Sequence, residues 1–191
     1  MGEYVMIILA SQSPRRKELF SLITEDFKII PAVGEEKADR SLPPSEYVME
    51  LAKHKALEVA EKYPEDVVIG SDTVVVINGE ILGKPKDEAD AKRMLRLLSG
   101  TEHSVYTGVC LSCGNMNRYF CEETKVRFFK LSDREIEEYT ASGEPFDKAG
   151  AYGIQGTGAL LVSGITGDYY NVMGLPVGRL YREMRESGLL K

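Results

Sequence analysis

A turn between a short apolar run and a basic segment carries side chains suited to binding phosphate. Residues 7–10 are apolar, and Ser11-Gln12-Ser13 and Pro14-Arg15-Arg16 follow directly. Pro14 suits the first position of a helix because it has no N–H to leave unbonded, which makes Ser13 the natural N-cap. The start of such a helix favours an anion, and arginine pairs with phosphate through two hydrogen bonds. The segment indicates a phosphate cradle, although a capped surface helix with two solvated arginines has the same composition.

Asp72 interrupts an otherwise apolar run between residues 67 and 77. An ionised carboxylate among apolar neighbours is costly unless a metal, a cation or a water network meets it. Gly70-Ser71-Asp72 also has the composition of a turn between two strands, 67–69 and 74–77. Because β-branched residues resume directly after Thr73, we interpret Asp72 as a functional carboxylate rather than as a turn residue.

Two lysines are candidate partners for phosphate. Lys84 lies between Gly83, which permits close approach of the backbone to a ligand, and Pro85, which restricts the residue before it to an extended conformation. An exposed loop lysine is an equally good interpretation of this segment. Lys55 lies in line with the apolar stripe of a predicted helix, so its side chain either extends to solvent or points into a polar cleft.

Two further segments become candidates for function when they are considered together with these phosphate-binding residues. The adjacent acids Glu35 and Glu36 have the pattern of a solvated surface, yet Mg²⁺ prefers carboxylate and phosphate oxygens. Gln155 lies in a glycine-rich stretch, 149–160, and its carboxamide offers both a donor and an acceptor, as recognition of a base edge requires. The stretch matches neither the Walker A loop nor the dinucleotide-binding fingerprint.

The elements that must position these residues alternate between strands and helices early in the chain and are mainly strands later. Periodicity and turn residues predict strands at about 4–10, 27–30, 67–69, 74–77, 80–82, 103–113, 117–131 and 159–162. Helices are predicted at about 14–23, 45–62 (capped by Ser45), 87–100 and 133–142, and from Pro176 onward. The fold class is α/β with a mixed sheet, elongated, with an active-site cleft between lobes. Residues 103–142 depart from the alternation and could form a second lobe.

Composition narrows the classes of function. The chain has 191 residues, 43% of them hydrophobic, and a net charge of −6, which argues against extended nucleic-acid binding. No apolar run approaches the roughly 20 residues that span a bilayer. The N-terminus has no basic leader, so we expect a cytoplasmic protein without a membrane partner.

The cysteines and histidines do not indicate a covalent or zinc-dependent mechanism. Cys110 and Cys113 lie in a predicted strand, where they would point to opposite faces, and Cys121 is the third cysteine. His54 and His103 are the two histidines, and neither lies in one of the segments that carry the candidate site residues. Incidental thiols are therefore the preferred interpretation.

Six segments together resemble the Maf family of nucleotide pyrophosphatases, also described as septum-formation-inhibitor-like proteins. They occur in the family's order over nearly the whole chain. They are Ala10-Ser11-Gln12-Ser13-Pro14-Arg15-Arg16, Ser71-Asp72-Thr73, Gly83-Lys84-Pro85, Leu98-Ser99-Gly100, Tyr152-x-x-Gln155-Gly156 and Asp168-Tyr169-Tyr170-Asn171-Val172-x-Gly174-Leu175-Pro176.

The resemblance implies one Maf-like domain over residues 1–191, with a two-lobed fold similar to that of inosine triphosphate pyrophosphatases. It implies hydrolysis of a nucleoside triphosphate to the monophosphate and pyrophosphate, assisted by Mg²⁺ or Mn²⁺, and a homodimer. Asp72 takes the family's catalytic position and, with Glu36, that of a metal ligand, although Glu35 is the alternative. Ser11, Ser13, Arg16, Lys55 and Lys84 take phosphate-binding positions.

Three further positions match those linked with base preference: Arg15, Thr73 and Gln155. This trio resembles the branch that acts on dTTP and UTP rather than the branch that prefers methylated guanine nucleotides. In the expected reaction, water attacks the α-phosphorus and pyrophosphate leaves. The alternative from another class is a nucleotide- or nucleic-acid-binding regulator of cell division, which would not need Asp72. A different phosphohydrolase, such as a monophosphatase, is the second alternative.

Overall fold

The computed structural model describes residues 5–34 and 38–190. Within these ranges the strands are β1 (Ile7–Leu9), β2 (Lys28–Ile29), β3 (Val67–Ile77), β4 (Glu80–Leu82), β5 (Glu102–Cys113), β6 (Met116–Phe128) and β7 (Val162–Thr166). The α-helices are α1 (Pro14–Phe20), α2 (Pro44–Ala60), α3 (Glu88–Leu98), α4 (Asp133–Ala141), α5 (Tyr169–Met173) and α6 (Val177–Glu186). Short 3₁₀ helices span Glu144–Asp147, Ala149–Ala151 and Gly156–Leu161.

The strands form one seven-stranded mixed sheet, in the order β2-β1-β3-β5-β6-β7, with β4 paired to β3. β1 runs parallel to β2 and to β3, in a register that places Leu9 opposite Ile69. The pairs β3–β4 and β6–β7 are antiparallel. The predicted α/β class with a mixed sheet is therefore confirmed.

The first of two compact units comprises the described residues of Met1–Asp72, Thr107–Glu122 and Gly174–Lys191. Its core packs apolar side chains of β1, β3 and β5, and of Ala10 after β1, against α2: Ile8, Ala10, Ala52, Ala56, Val59, Val68 and Cys110. Cys110 is fully buried and Cys113 is partly exposed, as expected for residues on opposite faces of a strand.

The second unit comprises Thr73–Tyr106 and Glu123–Met173. Its core packs helix residues such as Leu95 of α3 and Ile136 of α4 against strand residues such as Val75, Leu82 and Val126. Residues 107–122, which lie inside the range 103–142 considered for a second lobe, belong to the first unit instead. The long strands β3, β5 and β6 each contribute residues to both units.

Three predicted boundaries are wrong. Residues 67–77 form the single strand β3, because Ser71 is fully buried within it and no turn occurs there. Helix α2 begins at Pro44 rather than at Ser45, with Pro43 preceding it and no side-chain cap. Residues 159–161 are 3₁₀ helix, and the strand begins only at Val162. Glycine at 156 with φ 63° favours the tight turn that starts this 3₁₀ helix.

None of the helices in the described ranges is long and apolar enough to cross a membrane.

Candidate active site

The turn from β1 into α1 is ordered by its two serines. The Ser11 hydroxyl accepts a hydrogen bond from the Ser13 amide (3.2 Å), and the Ser13 hydroxyl accepts one from the Arg16 amide (3.4 Å). Ser13 is therefore the N-cap, as predicted, with Pro14 in the first turn. Ser11 is 7% exposed, so the turn is fixed by side chains that are themselves held in place.

Arg16 is connected to the segment before α6. Its Nε donates to the carbonyl oxygen of Gly174 at 2.8 Å, and the Ser71 hydroxyl donates to the same oxygen at 3.2 Å. Gly174 has φ 114°, a backbone conformation that favours glycine. One carbonyl thus connects the phosphate-cradle turn, the strand that carries Asp72 and the start of α6. The neighbouring Arg15 lies half-buried on α1.

Asp72 and Lys55 form a largely buried ion pair. The distance between Lys55 Nζ and Asp72 Oδ1 is 2.5 Å, and the side chains are 15% and 14% exposed. The cation that the Asp72 carboxylate requires in its apolar strand is therefore Lys55, and the Lys55 side chain points inward rather than to solvent. The two residues are 17 positions apart on different elements, and the sequence does not indicate that they pair.

Two glycines allow α2 to lie close against the strands. A Cβ on Gly70 would lie 2.3 Å from the Ala52 carbonyl oxygen, and one on Gly108 would lie 2.5 Å from the Val48 carbonyl oxygen. These contacts are backbone contacts, which a flexible side chain cannot relieve. Helix α2 carries Lys55 and β3 carries Asp72. The close packing at Gly70 therefore sets the distance between the helix and the strand that lets the two side chains pair.

The remaining predicted residues belong to the second unit. Thr73 is half-buried in β3, and Lys84 is exposed in the loop after β4. The Gly83 carbonyl, directly before Lys84, accepts a hydrogen bond from the Gly150 amide at 3.0 Å, which ties this loop to the glycine-rich segment. Gln155 is half-buried and directly precedes the 3₁₀ helix Gly156–Leu161.

The sequence matches the family model for Maf-like proteins over residues 6–187. The chain belongs to the Maf family. It is 54% identical to a dTTP/UTP pyrophosphatase from Carboxydothermus hydrogenoformans, over 95% of this chain and 98% of the relative. It is 51% identical to a protein of the same name from Koribacter versatilis, over 96% of this chain and 95% of the relative.

A solved structure shares the fold of this Maf family member. The HAM1 protein from Coxiella burnetii superposes with a TM-score of 0.58 at 15% sequence identity, covering 96% of this chain and 100% of the other. At this level of identity the similarity concerns the fold alone.

The acidic groups available for a metal are few. Among residues 5–34 and 38–190, no group of three or more histidine, cysteine, aspartate or glutamate side chains is arranged to hold a metal ion. Glu35 and Glu36, the other predicted acidic candidates, lie outside the described residues. Asp72 alone still fits Mg²⁺ bound with a nucleotide, because this ion is commonly held by one or two carboxylates together with substrate phosphates and water.

Sequence reasoning missed several residues that organise these segments. Ser71 and Gly174 lie within motifs whose sequence does not indicate this role: the Gly174 carbonyl accepts hydrogen bonds from both Ser71 and Arg16, positions far apart in the chain. Glu144 and Tyr139, which bind the backbone around Gln155, carried no signal beyond ordinary helix composition.

Glu58 accepts hydrogen bonds from the amides of Val33 and Gly34, which lowers the pKa of its carboxyl.

Proposed function

We propose that this protein is a nucleoside triphosphate pyrophosphatase that converts dTTP and UTP to the monophosphate and pyrophosphate. The observation that carries the proposal is the largely buried Lys55–Asp72 pair in a Maf family chain, formed by two residues to which the family resemblance assigns phosphate binding and catalysis. Relatives named dTTP/UTP pyrophosphatase, at 51–54% identity over nearly their full length, support the same activity.

Asp72 is proposed to orient the attacking water. A carboxylate is a weak base at neutral pH, so its main contribution is to accept a hydrogen bond from the water and to fix its line of approach to the α-phosphorus. Lys55 holds the carboxylate in one position, because Oδ1 accepts a hydrogen bond from the ammonium group.

A divalent cation fits this chemistry. When bound, it would lower the pKa of a coordinated water and neutralise phosphate charge. We propose Asp72 as one acidic ligand of this cation and Glu36 or Glu35 as the second.

The basic side chains are proposed to bind the triphosphate. Ser11 and Ser13 lie in the turn that leads into α1, and Arg16, whose Nε donates to the Gly174 carbonyl, lies in the first turn of that helix. Lys84 would add a point charge from its exposed loop. These donors would stabilise the negative charge that develops on the bridging oxygen and the leaving pyrophosphate.

Base selection is assigned to Gln155, with Arg15 and Thr73. Uracil and thymine present N3–H between two carbonyl acceptors, and a carboxamide complements this pattern with one acceptor and one donor. Cytosine replaces the O4 acceptor with an amino donor and lacks the N3 proton. A site built for the first pattern rejects the second, because buried polar groups are left unpaired.

The decisive experiment measures kcat/KM for the eight common nucleoside triphosphates and identifies the products. We expect dTTP and UTP to rank first and pyrophosphate to be released in equal amount to the monophosphate. Release of orthophosphate would instead indicate a terminal phosphatase. CTP or GTP ranking above both dTTP and UTP would refute the assigned base preference.

A further inference from the structure

The backbone around Gln155 is held by two side chains, one on each side. On one side, the Gly153 amide donates to the Tyr139 hydroxyl at 3.1 Å. On the other side, the amides of Thr157 and Gly158 donate to the Glu144 carboxylate at 3.2 and 3.4 Å. Gln155 lies midway between these anchors, two residues from each.

Glu144 receives a third hydrogen bond in this segment. The Thr157 hydroxyl donates to Glu144 Oε1 at 2.5 Å, and this contact, with the two amides, lowers the pKa of the carboxyl. Lys148 fixes the backbone that carries Glu144, since its Nζ donates to the Glu144 carbonyl at 2.6 Å and to the Asp147 carboxylate at 2.7 Å. The carboxylate is thus a rigid acceptor placed for three donors of one loop.

The loop also closes on itself at its ends. A Cβ on Gly158 would lie 2.2 Å from the Gly153 carbonyl oxygen and 2.8 Å from the Tyr139 hydroxyl. Residues 153 and 158 therefore touch, and Gln155 lies in the short arc between them. The direction of its carboxamide depends on this arc, because Gln155 is carried by the backbone between the anchored residues Gly153 and Thr157.

We propose that Glu144 is a positioning residue for base selection, which holds the arc at 153–158 so that the Gln155 carboxamide faces the base in one orientation. The inference rests on the proposed function. It assigns a role to a carboxylate that binds neither phosphate nor base, and it predicts that discrimination between bases and the chemical step are separable.

Loss of the Glu144 carboxylate should weaken discrimination between bases without stopping turnover. Removal of the Glu144 carboxylate frees three donors, so the arc samples several positions and the carboxamide no longer rejects the cytosine pattern. Lys55, Asp72 and Arg16 belong to the first unit and Glu144 belongs to the second, so turnover of bound dTTP should continue. A merely structural residue would lower turnover of all nucleotides together.

The test compares Glu144→Ala and Glu144→Gln with the wild-type protein, using dTTP and CTP as substrates. Thr157→Val provides a second route, because it removes the hydroxyl contact and keeps the amide contact. The matched control is Glu137→Gln, an exposed acid on α4 that makes no side-chain hydrogen bond within the described ranges. Amide hydrogen exchange at residues 153–158 measures the anchoring independently of activity.

We expect Glu144→Ala to lower the dTTP-to-CTP ratio of kcat/KM at least about tenfold, since misplacing a positioning group by 1 Å can cost about a hundredfold. The kcat for dTTP should stay within about threefold, the exchange at 153–158 should accelerate, and Glu144→Gln should lie between the two proteins because one amide oxygen still accepts. Unchanged exchange in Glu144→Ala and Thr157→Val would overturn the inference. So would faster exchange with an unchanged ratio, or an equal loss of kcat for both nucleotides.

Failure of the proposed function gives a different result. Wild-type protein that hydrolyses neither dTTP nor UTP would refute the proposed function and the selectivity assigned to Glu144. Wild-type protein that prefers dTTP, combined with an unchanged ratio in the variants, would refute the role of Glu144 alone.

Discussion

At the scale of single residues, the ion pair of Lys55 and Asp72 is the most informative contact in the described part of the chain. Both side chains are largely buried, so each charge depends on the other for its stability. Such a pair is weak evidence for stability, since well-packed apolar residues often serve as well. Because the pair is not needed for stability alone and includes the motif residue Asp72, its presence favours a chemical role.

Replacement of Asp72 by asparagine tests that role. We expect Asp72→Asn to lower kcat at least about a hundredfold, the lower range for a positioned acid–base group. The variant also leaves Lys55 without its carboxylate, so a thermal unfolding measurement must accompany the kinetics. Asp26→Asn, an exposed acid in the same unit, is the control. Near-normal kcat with intact folding would move the catalytic role away from Asp72.

Arg16 gives a second prediction at this scale. Arg16→Lys keeps the charge but cannot both donate to the Gly174 carbonyl and present a fork to phosphate. We expect KM for dTTP to rise and kcat to fall together, more strongly in Arg16→Ala, because the contact is made in the ground state and in the transition state. The neighbouring exposed Lys17→Ala should leave both constants near wild type. An unchanged KM in Arg16→Ala would contradict phosphate binding by this residue.

At the scale of elements, the packing of α2 on β3 and β5 is decided by glycines. The close approach at Gly70 and Gly108 leaves no room for a methyl group against the helix backbone. Small side chains on the helix, Ala52 and Ala56, complete the contact. The helix is thereby fixed at the distance that lets Lys55 reach Asp72.

Gly70→Ala should therefore affect stability and activity together. Its Cβ would meet the Ala52 carbonyl oxygen at 2.3 Å, so we expect a loss of about 1–3 kcal/mol or more in the free energy of unfolding, as for overpacked cores. Chemical denaturation measures this loss, and the remaining folded protein should show reduced kcat. Gly178→Ala on α6 is the matched control, since its Cβ meets nothing within 4 Å. The packing argument fails if the two variants are equally stable.

A buried histidine in the second unit gives a pH-dependent prediction. His103 shares a hydrogen bond with the Tyr152 hydroxyl (2.7 Å between Nε2 and the oxygen), packs edge-on against Phe128, and has no hydrogen-bond partner at Nδ1. Burial lowers the pKa of His103 to about 4. The unfolded chain, with an ordinary histidine pKa near 6.5, binds this proton more readily.

The sign of the effect follows from that difference. The contribution of neutral His103 is fully present above about pH 6.5 and is lost as the pH falls toward 4, to a total of about 3 kcal/mol. The free energy of unfolding should therefore decrease across this window in denaturant titrations. In the double variant His103→Phe/Tyr152→Phe, which removes both polar partners, the decrease should be smaller. An identical slope in both proteins would exclude His103 as the source.

At the scale of the whole molecule, the motif residues are divided between the two units. Ser11, Ser13, Arg15, Arg16, Lys55 and Asp72 belong to the first unit, and Thr73, Lys84 and Gln155 belong to the second. The division falls between adjacent residues of β3, since Asp72 ends one unit and Thr73 begins the other. The homodimer implied by the family resemblance stays a prediction, which sedimentation analysis would test.

Metal removal tests the molecule as a whole. We expect turnover of dTTP to be lost in excess chelator and restored by Mg²⁺ or Mn²⁺. The proposed reaction needs a divalent cation, held by Asp72 and the triphosphate, to neutralise phosphate charge and to lower the pKa of the attacking water. Pyrophosphate release is the readout, and a chelator already saturated with Mg²⁺ is the control. Full activity in excess free chelator would refute the metal requirement.

The sequence by itself determined the features that depend on a few neighbouring residues and on motif order. The N-cap Ser13, the capping box of Ser132 with Glu135, and the Asn78-Gly79 turn, both of whose residues have positive φ, were predictable from local chemistry. The order of six motifs sufficed for the family resemblance, which the family model confirms.

Only the tertiary structure decided which groups meet. Lys55 and Asp72 are 17 residues apart, and Arg16 and Gly174 are 158 apart. Neither pairing follows from local periodicity, because a contact over such separations depends on how helices and strands pack. Likewise, the Gly70-Ser71-Asp72 segment has turn composition but lies within a strand, since sheet pairing on both sides and burial of Ser71 outweigh local turn preference.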